Sequence, residues 1–209
     1  MALIYPLSLE SFYDQLPLVN KVHGLTEARE LNETSDGQIR SVDYGARLWF
    51  GRLTLAIKPH QDAEFFLSVV RTLFSARGSF FISVAHMNGI NIGTGVLNAV
   101  RNGREMRVSG LPANTTYRRG SYLSFKHGSN PVHYAMHQLV EGTITDVNGL
   151  TGWFEVNPPL EPGYVINTTA VEMAKPYCKA VAVPGTLEEP THRSVVTENP
   201  SFEWRQSTV

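Results

Sequence analysis

A mainly β fold with one packed helix is what this sequence predicts, on three observations. Only one segment carries a sustained helical period. Short strand-like runs of β-branched, leucine and aromatic residues fill most of the rest. Turn-forming pairs divide those runs closely: Asn102-Gly103, Leu111-Pro112, Arg119-Gly120, His127-Gly128, Asn148-Gly149, Pro158-Pro159 and Pro184-Gly185.

The first thirty residues read as an extended arm, with a short helical turn over 8–15. Residues 31–44 are polar around a turn at Ser35-Asp36-Gly37. In 47–57, Trp49, Gly51, Leu53 and Leu55 alternate with Leu48, Phe50 and Arg52, the period of a half-buried strand. The helix is expected over 61–76. Pro59 suits a helix start, and Asp62 and Glu64 favour the positive end of the helix dipole. Phe66, Val69, Val70, Leu73 and Phe74 form the apolar stripe. Arg71 and Arg77 suit the C-terminal half, and Gly78 suits a left-handed close.

Strands follow over 79–85, 105–108, 122–126, 132–140, 142–147, 152–156, 165–173, 179–183 and 201–205. Asn148-Gly149 predicts a hairpin, because both residues tolerate positive φ. The cluster of Gly89, Gly93 and Gly95 marks a flexible break near 84–103, between two compact β units.

Composition narrows the function. The 209 residues are 42% hydrophobic and 18% charged, the balance of a folded globular chain. A net charge of −1 supplies no broad attraction to nucleic acid or anionic lipid, so neither is an expected partner. The single cysteine, Cys178, excludes an internal disulfide. No basic-then-apolar leader opens the chain and no apolar run of about 18 residues occurs, so synthesis and folding in a cytoplasm, with no membrane partner, are expected. The sequons at Asn32, Asn114 and Asn167 are then read as chance.

No residue set carries catalysis, and no enzyme activity, cofactor or metal is expected. His133 and His137, with His127 nearby, are the best metal-like group, but zinc needs three or four ligands, and plain surface histidines are the simpler reading. Gly93-Thr94-Gly95 lacks the rest of a phosphate-loop or dinucleotide motif. Cys178 reads as a buried structural thiol, and Glu188-Glu189 as solvated loop charge. Trp49, Phe50, Tyr117, Tyr122, Trp153, Tyr164, Tyr177 and Trp204 fit core packing, subunit contacts or an exposed carbohydrate-binding face. Arg101, Arg104, Arg107, Arg118 and Arg119 form a locally basic stretch that suits solvent or an acidic neighbouring subunit.

The order of several motifs resembles one family. Tyr5-Pro6-Leu7-Ser8-Leu9, Phe12 and Leu16-Pro17 open the chain. Leu48 to Ala56, the helix, and Gly78-Ser79-Phe80-Phe81 follow. Then come Val108-Ser109-Gly110-Leu111-Pro112, Arg119-Gly120 with Leu123-Ser124-Phe125, Val147 to Gly152, and Val156-Asn157-Pro158-Pro159-Leu160. Over most of residues 1–183 this is similar to the distal tail proteins of long-tailed, siphovirus-like phages and phage-derived particles. Ser121 stands where the family has an acidic residue, and Glu161 where it has an arginine.

The resemblance implies a β-sandwich ring domain with one packed helix, from residues 1–85 and 175–209. It also implies an inserted peripheral β domain of OB or galectin-like type, from 86–174. The implied function is a structural tail-tip (baseplate) subunit of the virion. It forms a ring, expected to be a homohexamer, between the tail tube protein and the tail hub protein, and offers docking for receptor-binding or adhesion proteins. The N-terminal arm and residues 201–205 are candidate ring contacts. The alternative is a carbohydrate-binding β-sandwich module for host-surface adhesion, resting on Trp153 and Tyr122.

Overall fold

The computed structural model describes residues 3–43, 45–56, 58–75, 78–83, 93–161 and 164–208. Strands β1 (Leu18–Leu25), β2 (Arg29–Glu33), β3 (Ile39–Asp43), β4 (Trp49–Leu55) and β5 (Lys58–Pro59) lead to helix α1 (His60–Leu73) and β6 (Phe80–Ser83). There follow β7 (Thr94–Arg101), β8 (Glu105–Ser109), β9 (Thr116–Tyr117), β10 (Tyr122–His127), β11 (His133–Leu139), β12 (Thr143–Ile144), β13 (Phe154–Asn157) and β14 (Ala170–Glu172). The chain ends with β15 (Tyr177–Ala182), β16 (Thr191–His192), β17 (Val196–Glu198) and β18 (Ser201–Gln206). The fold is mainly β with one α-helix, the class the sequence predicts.

Two large assemblies of strands dominate. A five-stranded antiparallel sheet has the order β1-β4-β18-β15-β6. A closed barrel runs β10-β11-β13-β8-β7-β14. The sheet draws its strands from 18–83 and 177–206, and the barrel draws all six from 94–172. Smaller sheets are β9 with β12, β5 with β16 and β17, and the hairpin β2–β3.

The sheet's core follows from alternation along β4. Trp49, Gly51, Leu53 and Leu55 are buried and Phe50 and Arg52 are exposed, as the period of two requires. Trp204, Phe202, Ala180, Cys178, Ile82 and Phe80 join them. Helix α1 packs on this core with Val70 and Leu73, and it also buries Ala63 and Leu67. Of the expected stripe, Val70 and Leu73 are buried while Phe66, Val69 and Phe74 are partly buried at its flanks; Leu67, outside that stripe, is fully buried as well. The helix also ends early, with Phe74 as its C-cap. Gly78 does not close it in a left-handed turn. It is needed because a Cβ there would lie 2.3 Å from the Leu73 carbonyl oxygen. Ala76 and Arg77 lie outside the described residues.

The N-terminal arm is bound into the fold. Leu7 bonds both Ser79 and Phe81 through its backbone, and a 3₁₀ turn at Tyr13–Gln15 follows the buried Phe12. Phe12 meets Phe80 edge to face at 5.3 Å. The buried Tyr13 hydroxyl donates to the Ser83 carbonyl at 2.6 Å. Tyr13→Phe leaves that buried carbonyl short of a partner and is expected to cost about 1–3 kcal/mol, read by urea denaturation.

Four local expectations change. The break near 84–103 holds a strand: β7 pairs with both β8 and β14. Gly95 serves close approach there, since a Cβ would meet Val108 Cγ1 at 2.4 Å. Residues 84–92, with Gly89, lie outside the described residues. The polar stretch after residue 30 is the hairpin β2–β3, turned at Gly37 with φ +74°. At 146–150 only Gly149 has positive φ; Asp146 accepts the Gly149 N–H, and its carboxylate accepts from the Asn148 and Leu150 amides. This is a turn with one left-handed residue, and it joins Thr145 to Thr151. In the segment expected as a strand over 165–173, only β14 is strand, because residues 166–168 turn.

Candidate functional site

The sheet and barrel meet along β11. On one side β11 pairs with β10 through all of His127↔His133 to Tyr122↔Gln138. On the other side it pairs with β13 only at Gln138↔Asn157 and Leu139↔Val156. Pro158 and Pro159 follow, and neither has an N–H to extend that ladder. The barrel wall therefore has a seam at residues 133–137.

Side chains close the seam. Trp49 Nε1 donates to the Met136 carbonyl at 2.7 Å, and Gln206 Nε2 to the Tyr134 carbonyl at 3.0 Å. Gln206 Oε1 accepts the Trp49 N–H, so both sheet residues act together. His137 Nδ1 lies 2.7 Å from the Pro158 carbonyl oxygen, which only accepts, so Nδ1 carries the hydrogen. A cavity of about 820 Å³ opens beside the seam, lined by Arg47, Leu48, Met136, His137, Pro158 and Leu160 among others.

The three histidines are not plain surface residues. Alternation places His127, His133 and His137 on the side of Leu123 and Phe125, which belong to the barrel core. His127 and His133 stack at 5.1 Å, and His137 stacks on Phe125 at 5.3 Å. Burial holds the His137 imidazole down to about 4, and burial with the His133 field lowers His127. His137 Nε2 and His133 Nδ1 are buried with no hydrogen-bond partner among the described residues. Among those residues, no group of three or more His, Cys, Asp or Glu is placed to hold a metal ion.

Other candidates take bland positions. Cys178 is fully buried in the sheet core, and burial pushes its thiol up. Glu188 pairs with Arg52 and Glu189 with Arg71 on the surface, where such pairs contribute little. Trp49, Tyr117, Tyr122 and Trp204 are core residues. The Arg101 and Arg107 guanidinium groups lie over the Trp153 ring. Tyr177 packs on Phe81, Tyr164 lines the barrel core, and Phe50 is exposed on β4. These aromatics form no open stacking face. Of the basic stretch, Arg101 pairs with Glu105, while Arg104, Arg118 and Arg119 are exposed.

One arrangement has no sequence signal, because His60 lies far in sequence from His192 and Thr197. The Thr197 hydroxyl lies 2.8 Å from His60 Nδ1 and 3.1 Å from His192 Nδ1. Thr197 is fully buried, so this hydroxyl is inaccessible to a substrate and ties α1 to the sheet β5-β17-β16.

The exposed surface has a different character. The hairpin β2–β3 is solvent-facing along both strands, with Leu31, Ile39 and Val42 exposed by 55%, 71% and 59%. An isolated two-stranded hairpin is marginal in water, and these apolar side chains have no cover. In addition, β1 is an edge of the large sheet, with Val19 and Val22 exposed. The hairpin carries Arg29 and Arg40 against Glu30, Glu33, Asp36 and Asp43, an acidic balance. By contrast, most of 201–205 lies within the sheet, with Glu203 half-buried and Arg205 exposed. No helix among the described residues is long and apolar enough to cross a membrane.

A scan against protein-family models finds no match to the chain, and a search of curated proteins finds none.

Proposed function

We propose that this chain is a non-enzymatic structural subunit of a phage tail tip. Copies assemble as a ring, six in number, that joins the tail tube to the tail hub and offers docking to receptor-binding or adhesion proteins. The observation that carries this reading is that both the hairpin β2–β3 and the sheet edge β1 expose apolar residues. A ring needs two unlike faces on each copy, and an unpaired edge with exposed apolar residues is a surface that a neighbour can cover. The acidic hairpin and the exposed Arg118 and Arg119 supply opposite charges for such a contact. The motif order described above supplies the family.

The carbohydrate-binding alternative draws no support from Tyr122, which is buried, or from Trp153, which lies under two arginines.

Native mass measurement and particle imaging test the proposal. The expected result is a closed ring of six. Leu31→Glu with Ile39→Glu should leave folded monomers, with an unchanged circular dichroism spectrum. A wild-type chain that stays monomeric at high concentration and forms no ring in assembled tails overturns the reading.

A further inference from the structure

The seam in the barrel wall is closed by three side-chain bonds in place of a strand ladder. Trp49 and Gln206 hold the carbonyls of Met136 and Tyr134, and His137 holds that of Pro158. An indole and a primary amide do not titrate in the range where imidazoles do. His137 is therefore the one titratable group among the three closures.

Its surroundings make a second proton costly. With Nδ1–H given to Pro158, a proton added at Nε2 would sit at a buried atom with no acceptor among the described residues. The stacked His127 and His133 rings, 5.1 Å apart, line the same cavity as His137. The carboxylates that border this region are Glu161 after β13 and Glu155 on β13; Glu161 acts on His127. Arg104 from the β7–β8 turn and Arg47 before β4 add positive charge, and Glu27, Arg29 and Asp43 face the cavity from the hairpin side.

We infer that the seam between β11 and residues 157–161 is an acid-sensitive gate: a proton on His137 Nε2, buried with no acceptor among the described residues, draws water to that atom, parts β11 from residues 157–161 and opens the barrel interior to the adjacent cavity. Because the folded-state imidazole is held at about 4, below its ordinary value near 6.5, the closed seam is fully stable above about pH 6.5. It weakens as pH falls from there toward 4, by up to about tenfold in the opening equilibrium for each pH unit.

Hydrogen–deuterium exchange on the full chain, corrected for intrinsic rates, tests this between about pH 7 and pH 4.5. Amides in 133–139 and 154–161 are expected to lose protection over this range, while those in β4 and β18 keep theirs. His137→Asn keeps an N–H donor toward Pro158 without a titrating ring, and should abolish the selective loss. His137→Gln serves as the second variant if the smaller side chain leaves the barrel too loose to fold. Unchanged wild-type protection, or uniform loss across sheet and barrel, overturns the gate. So does the same acid profile in a folded variant.

Discussion

Gly51→Ala is expected to abolish folding of the large sheet. Gly51 lies in β4, where β1 and β18 flank it, paired with His23 and Trp204. A Cβ at this position would sit 2.0 Å from the Val22 carbonyl oxygen and 2.9 Å from Trp204 Nε1. The first contact is with backbone of a paired strand, so relief requires breaking the β1–β4 ladder. The Trp204 indole is already buried with no hydrogen-bond partner among the described residues, and it has no open place to move. A cost above about 4 kcal/mol follows, a large share of a typical domain's stability. Soluble yield and the near-ultraviolet dichroism of the tryptophans check it; a variant as soluble and stable as wild type would refute the packing described for Gly51.

Phe202→Ala should be the most damaging truncation on β18 that leaves the backbone untouched. Phe202 is buried and meets Phe74 at 6.3 Å and Phe80 at 6.2 Å, both edge to face. Its ring thus ties the end of α1 to the sheet and to β6. Removing it leaves a cavity bounded by three elements that cannot collapse together. The loss should be about 3–5 kcal/mol, with a fall in melting temperature on the order of 10 °C. Thermal denaturation followed at several wavelengths measures it. Ser201→Ala at the neighbouring position keeps the ring contacts and should move the midpoint far less.

Both effects arise where strands distant in sequence meet, and this divides what was legible beforehand from what was not. The alternation in β4 separates its two faces because period two is a local property of an extended chain; which face is buried is decided by the packing. The helix was placed to within three residues at its ends, since caps and apolar spacing are also local. Its stripe includes the buried Val70 and Leu73 but not the buried Ala63 and Leu67, because the elements packed against a helix decide which turns are covered. The strand β7 was hidden under a glycine-rich reading: Gly95 looks like flexibility in sequence and is close packing against β8 in space. The hairpin β2–β3 was hidden for the opposite reason, since its residues are polar enough to resemble a loop.

The candidate surfaces followed the same rule. Cys178 and the glutamates Glu188 and Glu189 took the positions their local context suggested. The three histidines did not, because their burial depends on which side of β10 and β11 becomes the inside of a barrel. The Thr197 contact with His60 and the seam closure by Trp49, Gln206 and His137 join residues separated by tens of positions, and nothing in their own neighbourhoods announces them.

The amino-acid order alone set the class of the molecule: a β-rich chain with one amphipathic helix, no disulfide and almost no net charge. Those properties depend on composition and on periods of two and 3.6 residues, which act over a few neighbours. Which strands close the barrel, which carbonyls the sheet caps, and which apolar side chains are left uncovered on the hairpin were decided only by the folded arrangement. Burial and hydrogen-bond satisfaction are properties of the whole packed chain, and no window of sequence contains them.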